Sequence, residues 1–334
     1  MSGAYPWLVA DIGGTNARFG WIAGPGQAVA HVRVLPVTAH RSPAEAAKAY
    51  LADVADLASL TGVEQAAPRS AAFAVATAID GDQIELTNAH WSFSRAQTQA
   101  DLGLDLLLLL NDFEALALSL PRLTSEQLRY WQPAPGVSQP PVHALAVIGP
   151  GTGLGVAGVV PSGGGWLALP GEGGHATLAA FDDFEAALLA HVRRDFEHVS
   201  AERLLSGIGL PVLHGAVAQV LGGALAQPLS TEAIVERAVS GQDVVCERTI
   251  DAFCALLGGF AGNVALTLGS RGGVYVGGGI VPRLGERFFA SQFRARFEAK
   301  GRFRSYMQGI PTALITDTLA ALAGAAQAIA QHQD

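Results

Sequence analysis

The sequence predicts an α/β protein of two domains with a central cleft, and three observations predict it. An apolar strand, a turn rich in glycine and threonine and a second strand occur together twice, within Trp7–Ile22 and within Val142–Val160, each near the start of one half of the chain. Apolar runs of strand length alternate elsewhere with segments of helical spacing. The 334 residues, half of them hydrophobic, exceed what a single core ordinarily fills.

The elements follow in order. Trp7–Ile22 reads as strand, turn at Gly13-Gly14-Thr15-Asn16, and returning strand, with a third strand around Val29–Val37 completing a meander. Ser42 is placed to cap a helix running to Leu60, with Pro43 at its first position. Ala71–Ala76 is a buried strand, and Asp80-Gly81 predicts a hairpin turn leading to Ile84–Thr87. A short helix near Ser94–Leu102 precedes the strand Leu106–Leu110, expected to be buried because all five residues are leucine. A helix starts at Asn111-Asp112 and stops at Pro121, and Pro133–Pro141 is a connector. In the second half, Val142–Ile148 and Leu154–Val160 flank the turn Gly149–Gly153. A loop at Pro170–His175, helices at Asp182–Glu197 and Ala201–Leu205, and helical segments from Thr231 to Leu268 come next. Gly273–Val276 and Leu314–Thr316 are the last strands, and Thr318–Ala330 a terminal helix.

Composition narrows the function. Mean hydropathy is positive, yet Leu106–Leu110 is far too short to span a bilayer, and Ala252–Gly269 is interrupted by glycines and Asn263, which suits a buried helix. The N-terminus has no basic segment followed by an apolar run, so no secretory leader is expected. Two cysteines, Cys246 and Cys254, make no disulfide framework and fit a reducing cytoplasm. A formal charge of −8 with no basic run argues against a nucleic-acid partner.

Three glycine-rich clusters end strands: Asp11-Ile12-Gly13-Gly14-Thr15-Asn16, Gly149–Gly155 and Gly277-Gly278-Gly279. Glycine leaves backbone N–H groups open to a phosphate. Asp11 adds a carboxylate that can hold Mg²⁺ through water, and Thr15 a hydroxyl. Any one cluster alone reads equally as a tight hairpin or bulge; three at strand ends point to a nucleotide. No Gly-Lys-Ser/Thr triplet occurs, which excludes a P-loop. Gly153-Leu154-Gly155-Val156-Ala157-Gly158 matches the dinucleotide fingerprint in letters, but Val159-Val160 continues a strand where that motif requires a helix.

Asp112, at the polar end of an apolar strand, is placed to take a proton from an attacking hydroxyl, and Asn111 beside it to hold a sugar hydroxyl. Either residue could instead only cap the helix. Glu172 and His175 lie in Leu169-Pro170-Gly171-Glu172-Gly173-Gly174-His175, a loop too rich in glycine for core packing. Glu202 falls in an expected first helical turn, where the helix dipole alone favours an acid.

With these motifs in view, the chain resembles the bacterial glucokinase family of the actin-like/hexokinase ATPase superfamily. The similar segments are Val9–Arg18, Thr87–Trp91, Asn111–Phe113, Gly149–Gly155, Leu169–His175, His198–Gly207, Gly272–Arg283 and Lys300–Phe303, spread over nearly the whole length. The resemblance implies two actin-like ATPase (ribonuclease H-like) domains, 1–122 plus 317–334 and 123–316, and ATP-dependent phosphorylation of glucose at its 6-hydroxyl. It implies Asp112 as catalytic base and Asn88, Asn111, Asp112, Glu172, His175 and Glu202 as sugar ligands. Asp11, Gly13, Gly14, Thr15, Asn16 and Arg18, with Gly151, Thr152 and Gly153, are implied at the phosphates, Gly277, Gly278 and Gly279 near the adenosine, and Asp11 at Mg²⁺. Family members are typically homodimers.

Two departures from the family pattern stand out. Ala78 replaces a usual proline, and Thr318-Leu319-Ala320-Ala321 replaces a usual Asn-Pro-Gly-Leu, which leaves the chain path there open. Two other functions fit the same fold. A repressor/open-reading-frame/kinase-type enzyme acting on another hexose or an N-acetylhexosamine would carry a cysteine-rich zinc motif, and Ala176–Ala190 has no cysteine. A sugar-sensing regulator would need a DNA-binding extension, for which the expected first strand at Trp7 leaves no room.

Overall fold

The opening apolar run forms β1 (Trp7–Ile12), which turns through Gly13–Thr15 into β2 (Asn16–Ile22) and then β3 (Ala30–Pro36). A computed structural model describes residues 5–61, 66–86, 89–131, 142–223 and 227–333; Asn88 and the Pro133–Pro141 connector lie outside them. Next come α1 (Pro43–Thr61), β4 (Ser70–Val75), β5 (Gln83–Glu85), β6 (Ser92–Ser94), α2 (Arg95–Asp101), β7 (Leu106–Asn111) and α3 (Asp112–Ser119). Ser42 Oγ accepts the Glu45 N–H at 3.2 Å, capping α1 as its sequence predicts.

The first sheet has the order β3-β2-β1-β4-β7. The meander β1–β2–β3 is antiparallel, whereas β1, β4 and β7 run parallel. Parallel strands covered on both faces must be apolar throughout, and β4 is buried at every position. Phe19, Tyr50 and Phe73 meet in this core, the first two rings stacked at 5.5 Å.

Two expectations fail here. The strand after Asp80-Gly81 does not fold back on β4, whose edges are both taken by β1 and β7; β5 instead pairs with β6, a short strand just before the expected helix for which the sequence showed no sign. The leucine run is not an interior strand. As β7 it lies at the sheet edge, with Leu107 and Leu110 buried and Leu106, Leu108 and Leu109 only half-buried.

The chain continues through β8 (Leu128–Tyr130), β9 (Leu145–Pro150), β10 (Leu154–Ser162), β11 (Gly165–Gly171), α4 (Asp183–Val192), α5 (Leu210–Val220), α6 (Thr231–Val239) and α7 (Val244–Leu268). It closes with β12 (Gly273–Val276), α8 (Glu286–Phe289), α9 (Phe293–Glu298), α10 (Arg304–Gln308), β13 (Thr312–Ile315) and α11 (Ala320–Gln333). The second sheet runs β11-β10-β9-β12-β13-β8. Its β9–β10 hairpin is antiparallel, and β9, β12 and β13 are parallel, so the strand plan of the first sheet is repeated. β10 stays a strand after Gly158, which confirms the fingerprint match as accidental. β8, β11, α5, α8, α9 and α10 have no counterpart in the sequence reading, and Ala201–Leu205 forms turns where a helix was expected.

Two compact units result: Met1–Leu123 with Ser162–Pro170 and Asp317–Asp334, and Thr124–Pro161 with Gly171–Thr316. In the first, α11 packs on α3, β4 and β1. In the second, α7 is the central helix. It is the one helix among the described residues long and apolar enough to cross a membrane, but 78% of its apolar stretch is buried inside the unit. Gly269 in left-handed conformation ends it.

Candidate functional site

In the first unit, strand register gathers Asp11, Asn111 and Asp112 at one end of the sheet. Asp11, Ala74 and Leu110 share a rung across β1, β4 and β7, and Ile12, Val75 and Asn111 share the next. Neighbouring strands lie about 4.8 Å apart, so the Asp11 and Leu110 backbones are separated by about 10 Å, with Asp112 two residues further on. This is the carboxyl end of the parallel strands, where ligands of α/β sheets bind.

The turn after Asp11 is closed by Gly13 N–H donating to Asn16 O at 2.9 Å and by Val37 N–H donating to Thr15 O at 2.9 Å. Thr15 and Asn16 are exposed. A side chain at Gly13 would meet only Asn16 O, at ordinary contact distance. Packing therefore does not demand glycine there, and an open backbone is the remaining use for it. Asp11 Oδ2 faces Arg18 Nη1 at 3.2 Å, and the same guanidinium nitrogen donates to Thr318 O at 3.1 Å. Burial pushes the Asp11 carboxyl above the usual carboxylate range, and the Arg18 charge opposes it. Thr318, one of the departures from the family pattern, thus holds Arg18 through its backbone. The helix starts later than predicted, at Ala320, after Leu319 N–H donates to Asp317 Oδ1 at 2.8 Å.

Asn111 does cap α3. Its Oδ1 accepts Phe113 N–H at 2.9 Å, and Glu114 returns the bond to Asn111 N–H at 3.3 Å. Its Nδ2 donates to Thr77 O at 3.1 Å, tying the ends of β7 and β4 together. One N–H and one lone pair of the amide lie beyond these bonds. Asp112 Oδ1 also accepts Phe113 N–H, at 2.9 Å, and the residue is half-buried at the first position of the helix.

The second unit assembles its groups from four separate segments. Gly277 N–H donates to Ile148 O at 2.8 Å and Ile280 N–H to Pro150 O at 3.2 Å, seating the glycine triplet against the β9–β10 turn. Gly278 has φ of +80° and its α-carbon faces Pro150 O, so only glycine fits. On the other side Gly207 N–H donates to Gly151 O at 2.8 Å and Ile208 N–H to Thr152 O at 3.4 Å.

Glu202 belongs to that same segment. Its position in a turn corrects the helical-turn expectation, since its backbone N–H donates to Gly174 O at 2.8 Å instead of opening a helix. Its Oε2 accepts Leu154 N–H at 2.8 Å, and its Oε1 lies 3.5 Å from His175 Nε2. His175 Nδ1 in turn lies 3.6 Å from Glu172 Oε2. Glu172 and His175 are well exposed, whereas the Glu202 side chain is 23% exposed. A cavity of about 340 Å³ is lined by His175 and Glu202 together with His198, Ser200, Arg203 and Ile208. Sequence reasoning gave no individual role to these last four, to Thr77 or to Thr318, because their contacts join segments that no local pattern links.

The Glucokinase family profile matches residues 8–332. The chain belongs to the glucokinase family. It is 48% identical over 330 residues to the glucokinase of Aromatoleum aromaticum, covering 98% of this chain and 96% of that one. It is also 44% identical over 327 residues to the bifunctional protein glk of Burkholderia pseudomallei, and there 98% of this chain spans about half, 49%, of the relative's length. Among solved structures, the glucokinase from an Antarctic psychrotroph superposes with a TM-score of 0.87 at 36% identity, covering 98% of this chain and 99% of that one. A family glucokinase of the ROK type from Streptomyces griseus, solved with glucose and AMPPNP, shares the fold alone (TM-score 0.63, 18% identity, 97% of this chain and 99% of that one). The architecture is the actin-like ATPase α/β fold expected from the sequence.

Proposed function

We propose that the chain transfers the γ-phosphoryl group of ATP to the 6-hydroxyl of D-glucose, giving glucose 6-phosphate and ADP, the entry step of glycolysis. The observation that carries this reading is the carboxyl end of the first sheet, where a glycine turn suited to phosphate and the carboxylate of Asp112 end parallel strands two places apart. Family membership and the glucokinase names of the relatives support it.

In this reading Asp112 accepts the proton of the attacking hydroxyl, and Asn111, Glu172, His175 and Glu202 hold the sugar, with Asn88 as a further ligand. Carboxylates accept from hydroxyls, and an imidazole between two of them can donate or accept. The Gly13–Asn16 turn and the Gly151–Gly153 turn take the phosphates, and Gly277–Gly279 leaves room for the adenosine. Catalysis then rests on positioning and charge neutralisation.

Mg²⁺ fits the donors present. It prefers oxygen and keeps most of its waters, needing only one or two carboxylates, and Asp11 supplies one beside the turn. When bound, the ion would neutralise charge on the phosphates. Arg18, paired with Asp11, holds that carboxylate in place. The proposal includes the domain division 1–122 plus 317–334 against 123–316, except that Ser162–Pro170 falls with the first unit, a cytoplasmic location consistent with two buried free thiols, and a homodimer.

The test is ADP release coupled to a reporter, measured across glucose, mannose, glucosamine and N-acetylmannosamine. Glucose should give the highest kcat/KM, with glucose 6-phosphate as product. Release independent of sugar, or a preference for N-acetylmannosamine, would overturn the assignment.

A further inference from the structure

We infer that Glu202 is a positioning residue that couples the sugar cluster to the phosphate turn, in addition to any contact with sugar. The inference rests on the reading of Glu172, His175 and Glu202 as sugar ligands. Its basis is that the two oxygens of one carboxylate serve different neighbours. Oε1 faces His175 Nε2 at 3.5 Å, and Oε2 accepts the N–H of Leu154, the residue directly after the Gly151-Thr152-Gly153 turn, at 2.8 Å.

The Leu154 bond ties the carboxylate to the end of the turn, and Oε2 stands where a side chain at Gly153 would go, so a substitution there must displace it. The backbone repeats the linkage. Glu202 N–H donates to Gly174 O in the sugar loop, and five residues on Gly207 N–H donates to Gly151 O in the phosphate turn. A sugar that draws on Oε1 therefore fixes the carboxylate against Leu154 and the turn. By linkage, a phosphate that orders the turn must favour sugar by the same factor.

Gly153→Ala tests this from the phosphate side, because the substitution is in the turn and reaches the sugar only by displacing the Glu202 carboxylate. Glucose affinity, measured by calorimetry with no nucleotide present, should weaken at least tenfold. Gly259→Ala, on α7 of the same unit and outside the proposed sites, is the control, since nothing lies within 4 Å of a side chain there, and glucose affinity should stay within twofold. Equal effects of the two substitutions, or no effect of either, would overturn the coupling. A second pair approaches from the sugar side and does not depend on Gly153→Ala folding. Glu202→Gln keeps an oxygen for Leu154 N–H and Glu202→Ala does not. Only Glu202→Ala should raise the KM for ATP, by about tenfold, while both weaken glucose binding. An unchanged KM for ATP in Glu202→Ala would also overturn the proposal. If the unaltered chain binds no glucose, it is the sugar-site reading that falls.

Discussion

Asp112→Asn isolates the base from the fold more cleanly than any other single change. Asp112 Oδ1 accepts Phe113 N–H at 2.9 Å, and an asparagine oxygen can accept the same bond. The cap of α3 is carried separately by Asn111 and Glu114. The helix loses the favourable charge of an acid in its first turn, about 0.3–1 kcal/mol. The variant should therefore fold, with glucose affinity within about threefold of the unaltered chain. An amide, however, cannot take up a proton near neutral pH. General-base catalysis contributes about 10²–10⁴-fold, and each tenfold corresponds to about 1.36 kcal/mol of barrier. The kcat should thus fall by the equivalent of about 2.7–5.4 kcal/mol. The assay is coupled ADP release at saturating glucose, alongside calorimetric glucose binding. Turnover above about a tenth of the original, with binding intact, would refute the base assignment.

Gly324 of α11 lies against the backbone oxygen of Ala115 in α3, with no space for a methyl group. Gly324→Ala should gain about 1 kcal/mol of helix propensity but force the helices apart at a cost of up to about 3 kcal/mol. A net loss of about 2 kcal/mol would lower Tm by roughly 4–8 °C; an unchanged or raised Tm would contradict the close contact. The buried His214 beside Cys246 sets a pH dependence. Burial pushes its pKa below the ordinary histidine value, and the Asp243 carboxylate opposes this. The unfolded chain, with a pKa of about 6.5, then takes up the proton first. Stability is full above that value and falls as pH drops toward the folded pKa, by up to about 1.4 kcal/mol per pH unit. Urea unfolding between pH 7.5 and 5.5 should show a shallower loss for His214→Met, and parallel curves would remove His214 from the account.

What proved legible in the residues was whatever depends on near neighbours. The strand–turn–strand units at Asp11–Arg18 and Gly149–Gly155, the caps at Ser42 and Asn111, and the buried α7 are each written in a few consecutive side chains. Misreadings occurred where partners are distant. β5 was assigned a hairpin with β4 because nothing local reveals that β1 and β7 already occupy both edges of that strand. β7 was expected inside because five leucines are apolar enough for burial, but which strand ends a sheet depends on what else pairs.

The site divides the same way. Asp112 and Asn111 are adjacent in sequence, so their placement at the end of β7 could be inferred directly. Glu202 is nearly fifty residues from Leu154 and was given to a helix. It reaches the turn only because Gly174 O takes its backbone N–H and Gly153 leaves room for its carboxylate. The amino-acid order alone determined the glycine turns, the acid after the leucine run and the family, since short-range sterics and hydrogen bonding specify such features. Only tertiary structure decided that Glu172, His175 and Glu202 meet beside the Gly151–Gly153 turn, because their meeting depends on long-range backbone pairing whose energy is shared by the whole unit.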